Sequence, residues 1–261
     1  MNQKYIRKSI LDNTNKYDSV LGMDINIITL DQTLYLIREW SISGFSKYIC
    51  VSNVHMCMEV YDDADFRNVV NSSDLTIPDG KPLTVALKIL GNKEAYHIRG
   101  ADLTRAILEI SNQNSLVIGL YGGTNTAICK ISDHINKKYP NVKIGCSISP
   151  PYREITHEED RKYIEMINNS GVQILLVGLG CPKQEVWMAN HKDNIGAVMI
   201  GVGAVFDFLS GQKKEAPPIF QKLGLEWFFR LVSEPGRLWK RYAYHNPRFI
   251  WHFIKQLLTK S

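Results

Sequence analysis

Val172-Gln173-Ile174-Leu175-Leu176-Val177-Gly178-Leu179-Gly180 is the stretch that decides the fold class. Its centre is apolar without alternation, as in a strand buried on both faces, and the glycines at its end suit a tight strand-to-helix turn. Comparable runs lie on both sides: Lys47–Asn53 (KYICVSN), Asp74–Gly80 (DLTIPDG), Leu116–Gly123 (LVIGLYGG), Val142–Ser149 (VKIGCSIS) and Ile195–Gly203 (IGAVMIGVG). Helical patterns separate them around Asp63–Val70, Pro82–Leu90, Ala101–Ser111, Ala127–Tyr139, Glu158–Asn169 and Gln184–His191. Buried strands alternating with helices predict an α/β fold, a Rossmann-like, mostly parallel sheet with helices on both faces. Further upstream, VLGMDINII (Val20–Ile28) reads as one or two short strands and Thr29–Gly44 as an amphipathic helix.

The 261 residues, 44% of them apolar, suffice for one α/β domain with an appendage. No apolar run approaches the roughly 18 to 20 residues that span a bilayer, and the first residues lack the apolar stretch of a signal peptide. A cytoplasmic location is therefore expected. Five cysteines without a CxxC pair suggest neither a disulfide framework nor a zinc site. The net charge of +5 is unevenly distributed. Residues 212–261 hold 10 Lys and Arg against 3 Asp and Glu, a net of +7, together with 10 of the 26 aromatic residues; residues 1–211 hold 21 against 23. The chain thus divides into a flexible segment 1–19, an α/β catalytic domain 20–211 and a basic, aromatic helical appendage 212–261.

Ligands of parallel α/β sheets bind at the carboxyl ends of strands. Here those ends carry Ser52-Asn53, Pro78-Asp79-Gly80, Gly122-Gly123-Thr124, Gly178-Leu179-Gly180 and Gly201-Val202-Gly203. Glycine there admits a phosphate close to backbone, and glycine is also what tight turns use. Pro78-Asp79-Gly80 is a turn former, and Asp79 suits a helix N-cap. The same carboxylate at a cleft mouth can accept a proton from an attacking hydroxyl. In Gly180-Cys181-Pro182-Lys183-Gln184-Glu185-Val186-Trp187, Pro182 opens a helix whose first turn presents Gln184 and Glu185, an amide and a carboxylate able to read a uracil edge or ribose hydroxyls. Gly201-Val202-Gly203-Ala204-Val205-Phe206-Asp207 lacks the third glycine of a dinucleotide fingerprint, so an oxidoreductase or epimerase has little support. Asp63-Ala64-Asp65 spells D-x-D, yet it opens a helix, where acids complement the dipole.

The tail mixes basic and aromatic residues in Leu225–Val232, Arg237–Tyr242 and Arg248–Phe253. On amphipathic helices that composition suits an interface with anionic lipid; nucleic-acid binding and simple packing on the core are the alternatives.

Taken in order, Pro78-Asp79-Gly80, Gly180-x-Pro182-Lys183-Gln184-Glu185-x-Trp187, Gly201-Val202-Gly203-Ala204-x-Phe206-Asp207, and Gly224-Leu225-Glu226-Trp227-x-x-Arg230-Leu231 with Glu234-Pro235-x-Arg237 resemble the WecG/TagA/CpsF glycosyltransferases, over roughly Val20 to Tyr242. The resemblance implies inverting transfer of a hexose, N-acetylhexosamine or uronic acid from a UDP-sugar to a polyprenyl-diphosphate-linked saccharide in teichoic acid, capsule or exopolysaccharide synthesis. It implies no cofactor and no metal, Asp79 as base, and an appendage that docks on the membrane and closes the site. The expected partners are UDP-sugar, the lipid-linked acceptor, anionic inner-leaflet lipids and other polysaccharide-assembly enzymes, without nucleic acid. Carried over by position, Arg230, Arg237, Lys240 and Arg241 would meet the diphosphate or lipid headgroups. Gln184, Glu185, Gly203 and Asp207 would surround the nucleotide, and Ser52, Asn53, His55, His97, Arg99, Gly122 and Gly123 are further candidates for substrate contact. Three positions depart from the pattern. Val51-Ser52-Asn53 stands for Thr-x-Asn, His97 for an arginine, and Glu215-Ala216-Pro217 for Arg-Ala-Pro, which points to a different sugar or acceptor. A non-catalytic scaffold is the remaining rival, and retention of Asp79 and Gln184 argues against it.

Overall fold

The computed structural model describes residues 16–260. Strands β1 (Tyr17–Val20) and β2 (Met23–Asn26) pair antiparallel around Leu21-Gly22, both at positive φ. The flexible segment expected over 1–19 is corrected at its end: Tyr17, Asp18 and Ser19 pair with Asn26, Ile25 and Asp24. Its earlier part lies outside the described residues.

Helix α1 (Leu30–Ile42) leads to β3 (Lys47–Ser52), α2 (Val54–Asp62), α3 (Ala64–Asn71), β4 (Leu75–Pro78), α4 (Lys81–Ile89) and α5 (Gly100–Asn114). Then come β5 (Val117–Gly122), α6 (Asn125–Lys138), β6 (Lys143–Ile148), α7 (His157–Asn169), β7 (Ile174–Gly178), α8 (Lys183–His191), β8 (Val198–Gly201) and α9 (Val205–Leu209). Strands β3 to β8 form one all-parallel sheet in the order β4-β3-β8-β7-β5-β6. Side chains alternate between two cores: Leu175 and Val177 of β7 face one, Ile174 and Leu176 the other. Both faces are covered, as the unbroken apolar runs require.

Helix α2 follows β3 without a loop, because the Asn53 side chain accepts from the N–H groups of His55 and Met56 and caps it. Asp63 caps α3 in the same way, accepting from Asp65 and Phe66, so the first acid of D-x-D has a structural task.

The chain leaves β5 toward β6 and β7 toward β8 on opposite sides, which makes the β5/β7 boundary a topological switch point. That crevice is filled. A Cβ on Gly178 would stand 2.6 Å from Cδ2 of Phe206, and one on Gly122 would stand 2.6 Å from the Gly178 carbonyl. Glycine is needed here for packing.

The tail comprises α10 (Pro218–Leu223), α11 (Glu226–Ser233) and α12 (Pro235–Lys260). Helix α12 lies on α2 and places Phe249 and Phe253 in the same core as Met56 and Val60. Near its end, the Gln256 amide donates to Ser19 O (2.8 Å) and accepts from Leu21 N–H (2.9 Å). A boundary drawn at 211/212 therefore separates segments that share one core. Among the described residues no helix is long and apolar enough to cross a membrane.

Candidate active site

Asp79 ends β4 in a turn held by β3: the N–H groups of Asp79 (2.8 Å) and Gly80 (3.2 Å) both donate to Ser52 O. Its carboxylate accepts the Gly100 N–H at the start of α5 (2.5 Å), and the His97 ring donates to its backbone carbonyl. Burial pushes this carboxyl above the ordinary aspartate range. The Gly100 N–H pulls in the other direction, followed by the charges of His97, Arg230 and Arg99, and burial prevails. A carboxylate of raised basicity facing a cavity has the properties of a general base.

The cavity measures about 750 Å³ and lies between the β3 and β4 ends and the tail. Asn53, His55, Asp79 and His97 form its polar wall on the core side. Trp227, Leu231, Trp239, Tyr242, Phe249 and Ile250 form an apolar wall from α11 and α12. Arg230 and Arg241 project into the same space, and the Nε of each is buried without a hydrogen-bond partner. Burial lowers the Arg241 pKa, with Arg230 and Arg237 adding repulsion. Two desolvated guanidinium groups beside a carboxylate form a place for an anion. His55 is pushed down to about 3, first by burial and then by Arg241 and His245, so the ring is neutral near pH 7.

The structure thus brings Asp79, Asn53, His55, His97, Arg230 and Arg241 together. The other expected positions lie elsewhere. Ser52 is fully buried and its hydroxyl donates to Ile77 O, so no sugar contact falls to it. Arg99 is held by three carboxylates: Glu226 (2.5 Å), Asp102 (2.9 Å) and Glu215 (3.5 Å). That arrangement makes Arg99 a tie between the core and the tail. Glu215 also receives both terminal nitrogens of Arg105 at 2.5 and 3.1 Å, so an acid at this position is matched by its surroundings.

Gly122 and Gly123 belong to the switch-point packing under Phe206. Gln184 and Glu185 are buried beneath Gly201 and Gly203. Gln184 Oε1 accepts the Gly180 N–H (3.1 Å) and its Nε2 donates to Glu185 (2.7 Å). Burial raises Glu185 to about 7. Both residues brace the β7 and β8 ends and do not line the cavity. Asp207 is paired with Lys213 (2.5 Å), which also meets Glu234 (2.9 Å). Arg237 pairs with that same Glu234 and is half exposed; Lys240 lies over the Trp239 ring. Both are on the outer side of the tail. Glu59 and His245, which no sequence motif marked, stand beside His55.

A doubly wound parallel sheet, a basic carboxylate at a strand end and a cation-bearing helical flap over it define a nucleotide-dependent transferase of the α/β class. The sequence matches the Glycosyl transferase WecG/TagA/CpsF family over residues 19–261, and the chain belongs to that family. It is a glycosyltransferase. Among its relatives is the N-acetylglucosaminyldiphosphoundecaprenol N-acetyl-beta-D-mannosaminyltransferase of Bacillus subtilis (strain 168), 31% identical over 229 residues, which cover 87% of this chain and 86% of that one. Enzymes of the same description in Staphylococcus aureus strains MW2 and NCTC 8325 / PS 47 are 28% identical over 232 residues, 88% of this chain and 87% of theirs.

Proposed function

We propose that the protein moves a sugar, with inversion, from a UDP-sugar to a saccharide linked to polyprenyl diphosphate, in the synthesis of a cell-surface polymer. The single observation that carries this reading is the joint presence, in one cavity, of the raised Asp79 carboxyl and the unpartnered Arg230 and Arg241 guanidinium groups. The relatives' acceptor, a diphosphoundecaprenol-linked N-acetylglucosamine, supports an acceptor of that class.

On this reading the acceptor hydroxyl oxygen attacks the anomeric carbon while its proton passes to Asp79, and the bond from that carbon to the diphosphate oxygen breaks. Negative charge grows on the departing UDP, where Arg230 and Arg241 are already placed and desolvated. Guanidinium groups take the role a divalent ion plays at other diphosphates, so the chemical step proceeds without a metal. The apolar wall of Trp227, Leu231, Trp239 and Ile250 suits the first units of the lipid. Exposed Ile219, Leu223, Phe228, Trp251 and Leu258, beside Arg237 and Lys240, suit attachment to an anionic inner leaflet. Mass-spectrometric screening of UDP-sugars against a synthetic lipid-diphosphate-N-acetylglucosamine tests the reading. Transfer from at least one donor is expected, and none from the full panel would defeat it.

A further inference from the structure

We propose that His55, Glu59 and His245 form a site for a divalent transition-metal ion, zinc by ligand type, that fastens α12 to the start of α2. His55 and Glu59 stand one turn apart on α2 and project from one face; His245 meets them from α12. Glu59 Oε1 is 3.5 Å from His55 Nε2 and 3.8 Å from His245 Nε2. The three donor atoms all lie within 4.8 Å of one another. Donors held about 2.1 Å from a tetrahedral zinc stand roughly 3.4 Å apart, so each carboxylate–imidazole pair needs to close by only a few tenths of an ångström. The two imidazoles have the larger adjustment, through rotation of rings whose centroids are 5.0 Å apart.

At these separations the three groups converge without good hydrogen bonds among them, and the Nδ1 of both rings is buried without a partner. Two imidazoles and one carboxylate are also the donor set of zinc sites that keep one position open. His55 and His245 both line the cavity, so that position would face its water. Arg241 opposes the ion, since its charge acts on His55 and Glu59, while Asp62 and Asp63 on the core side favour it and Arg248 on α12 does not. The balance places the affinity below that of a closed four-ligand structural site.

The consequence concerns closure. Along the same seam α12 is held by a bidentate Arg248–Asp62 pair (2.6 and 2.8 Å) and by the His252 ring on Tyr61. An ion at His55, Glu59 and His245 would complete that seam at the cavity, apart from the Asp79 chemistry. The test titrates metal-stripped full-length protein with Co²⁺ and follows its visible spectrum. A single equivalent giving tetrahedral, imidazole-bound bands, displaced by Zn²⁺, is expected. Glu59→Gln and His245→Asn should each weaken Co²⁺ binding by on the order of 10². Cys129→Ser, which removes the exposed thiol, should leave it unchanged. Hydrogen exchange in α12 should slow with Zn²⁺ in the wild type only. A wild type without such bands overturns the proposal whatever the variants do, and so does equal Co²⁺ affinity in wild type, Glu59→Gln and His245→Asn.

Discussion

Glu185 should make the protein less stable as the solution becomes more alkaline, and Glu185→Gln should remove that dependence. The carboxyl is fully buried, one oxygen accepting from Gln184 (2.7 Å) and the other without a partner. Burial raises its pKa from an ordinary 4.5 to about 7. Between those two values the unfolded chain has released this proton and the folded chain retains it, so the folded state binds more protons and stability falls with rising pH. The contribution is fully present below about 4.5 and is lost as pH rises through about 7. At 1.36 kcal/mol per tenfold, the loss amounts to about 3 kcal/mol. Gln184 Nε2 can still donate to the carbonyl of a glutamine at 185, so the variant keeps that bond. Urea unfolding of both proteins at pH 5 and pH 8 isolates the effect, because other titrating groups contribute equally to each. Wild type should lose about 3 kcal/mol more than the variant between the two pH values. Equal losses would refute the reasoning, and would mean that Glu185 is solvated or paired in the folded protein.

The switch point gives a second expectation: Gly178→Ala drives a Cβ to 2.6 Å from the Phe206 ring and should cost about 1–3 kcal/mol, read as a lowered urea midpoint. Arg241→Gln removes one of the two unpartnered cavity cations and should reduce kcat/KM by about 10² or more, while Arg237→Gln, on the outside, should reduce it little. Charge reversal at Arg237 and Lys240 should release the protein from anionic vesicles, as added salt should for the wild type, measured by cosedimentation.

The sheet was legible because each of its strands is a short apolar run ending in a turn residue, as in Ile174–Gly178. Strand order was not, since β3 pairs with β4 and with the distant β8, and nothing local in Lys47–Ser52 names those neighbours. Asp79 was legible from its turn, and Arg230 and Arg241 from the basic tail. Helix α2 carried a readable cap in Asn53 that the strand pattern before it obscured. The glycines of Gly122-Gly123 and Gly201-Val202-Gly203 were a misleading signal: they suit both phosphate and close packing, and the ring of Phe206 and the side chain of Gln184 occupy the space beside them. Ser52 and Arg99 failed as substrate contacts for a similar reason, because their partners, Ile77 and the Glu215–Glu226 pair, come from other elements. The seam between α2 and α12 joins residues 186 apart, as in Asp62 and Arg248, and no window of sequence contains both sides.

Asp79→Asn tests the account most directly. The Asn side-chain oxygen can still accept the Gly100 N–H, and the turn on Ser52 is made by backbone, so the variant should fold and bind UDP-sugar as before. It cannot take the acceptor's proton. Turnover on a lipid-diphosphate-saccharide, followed by mass spectrometry at saturating substrates, should fall by on the order of 10² to 10⁴. Turnover within a few-fold of wild type, with the fold intact, would contradict the assignment of Asp79 as the base.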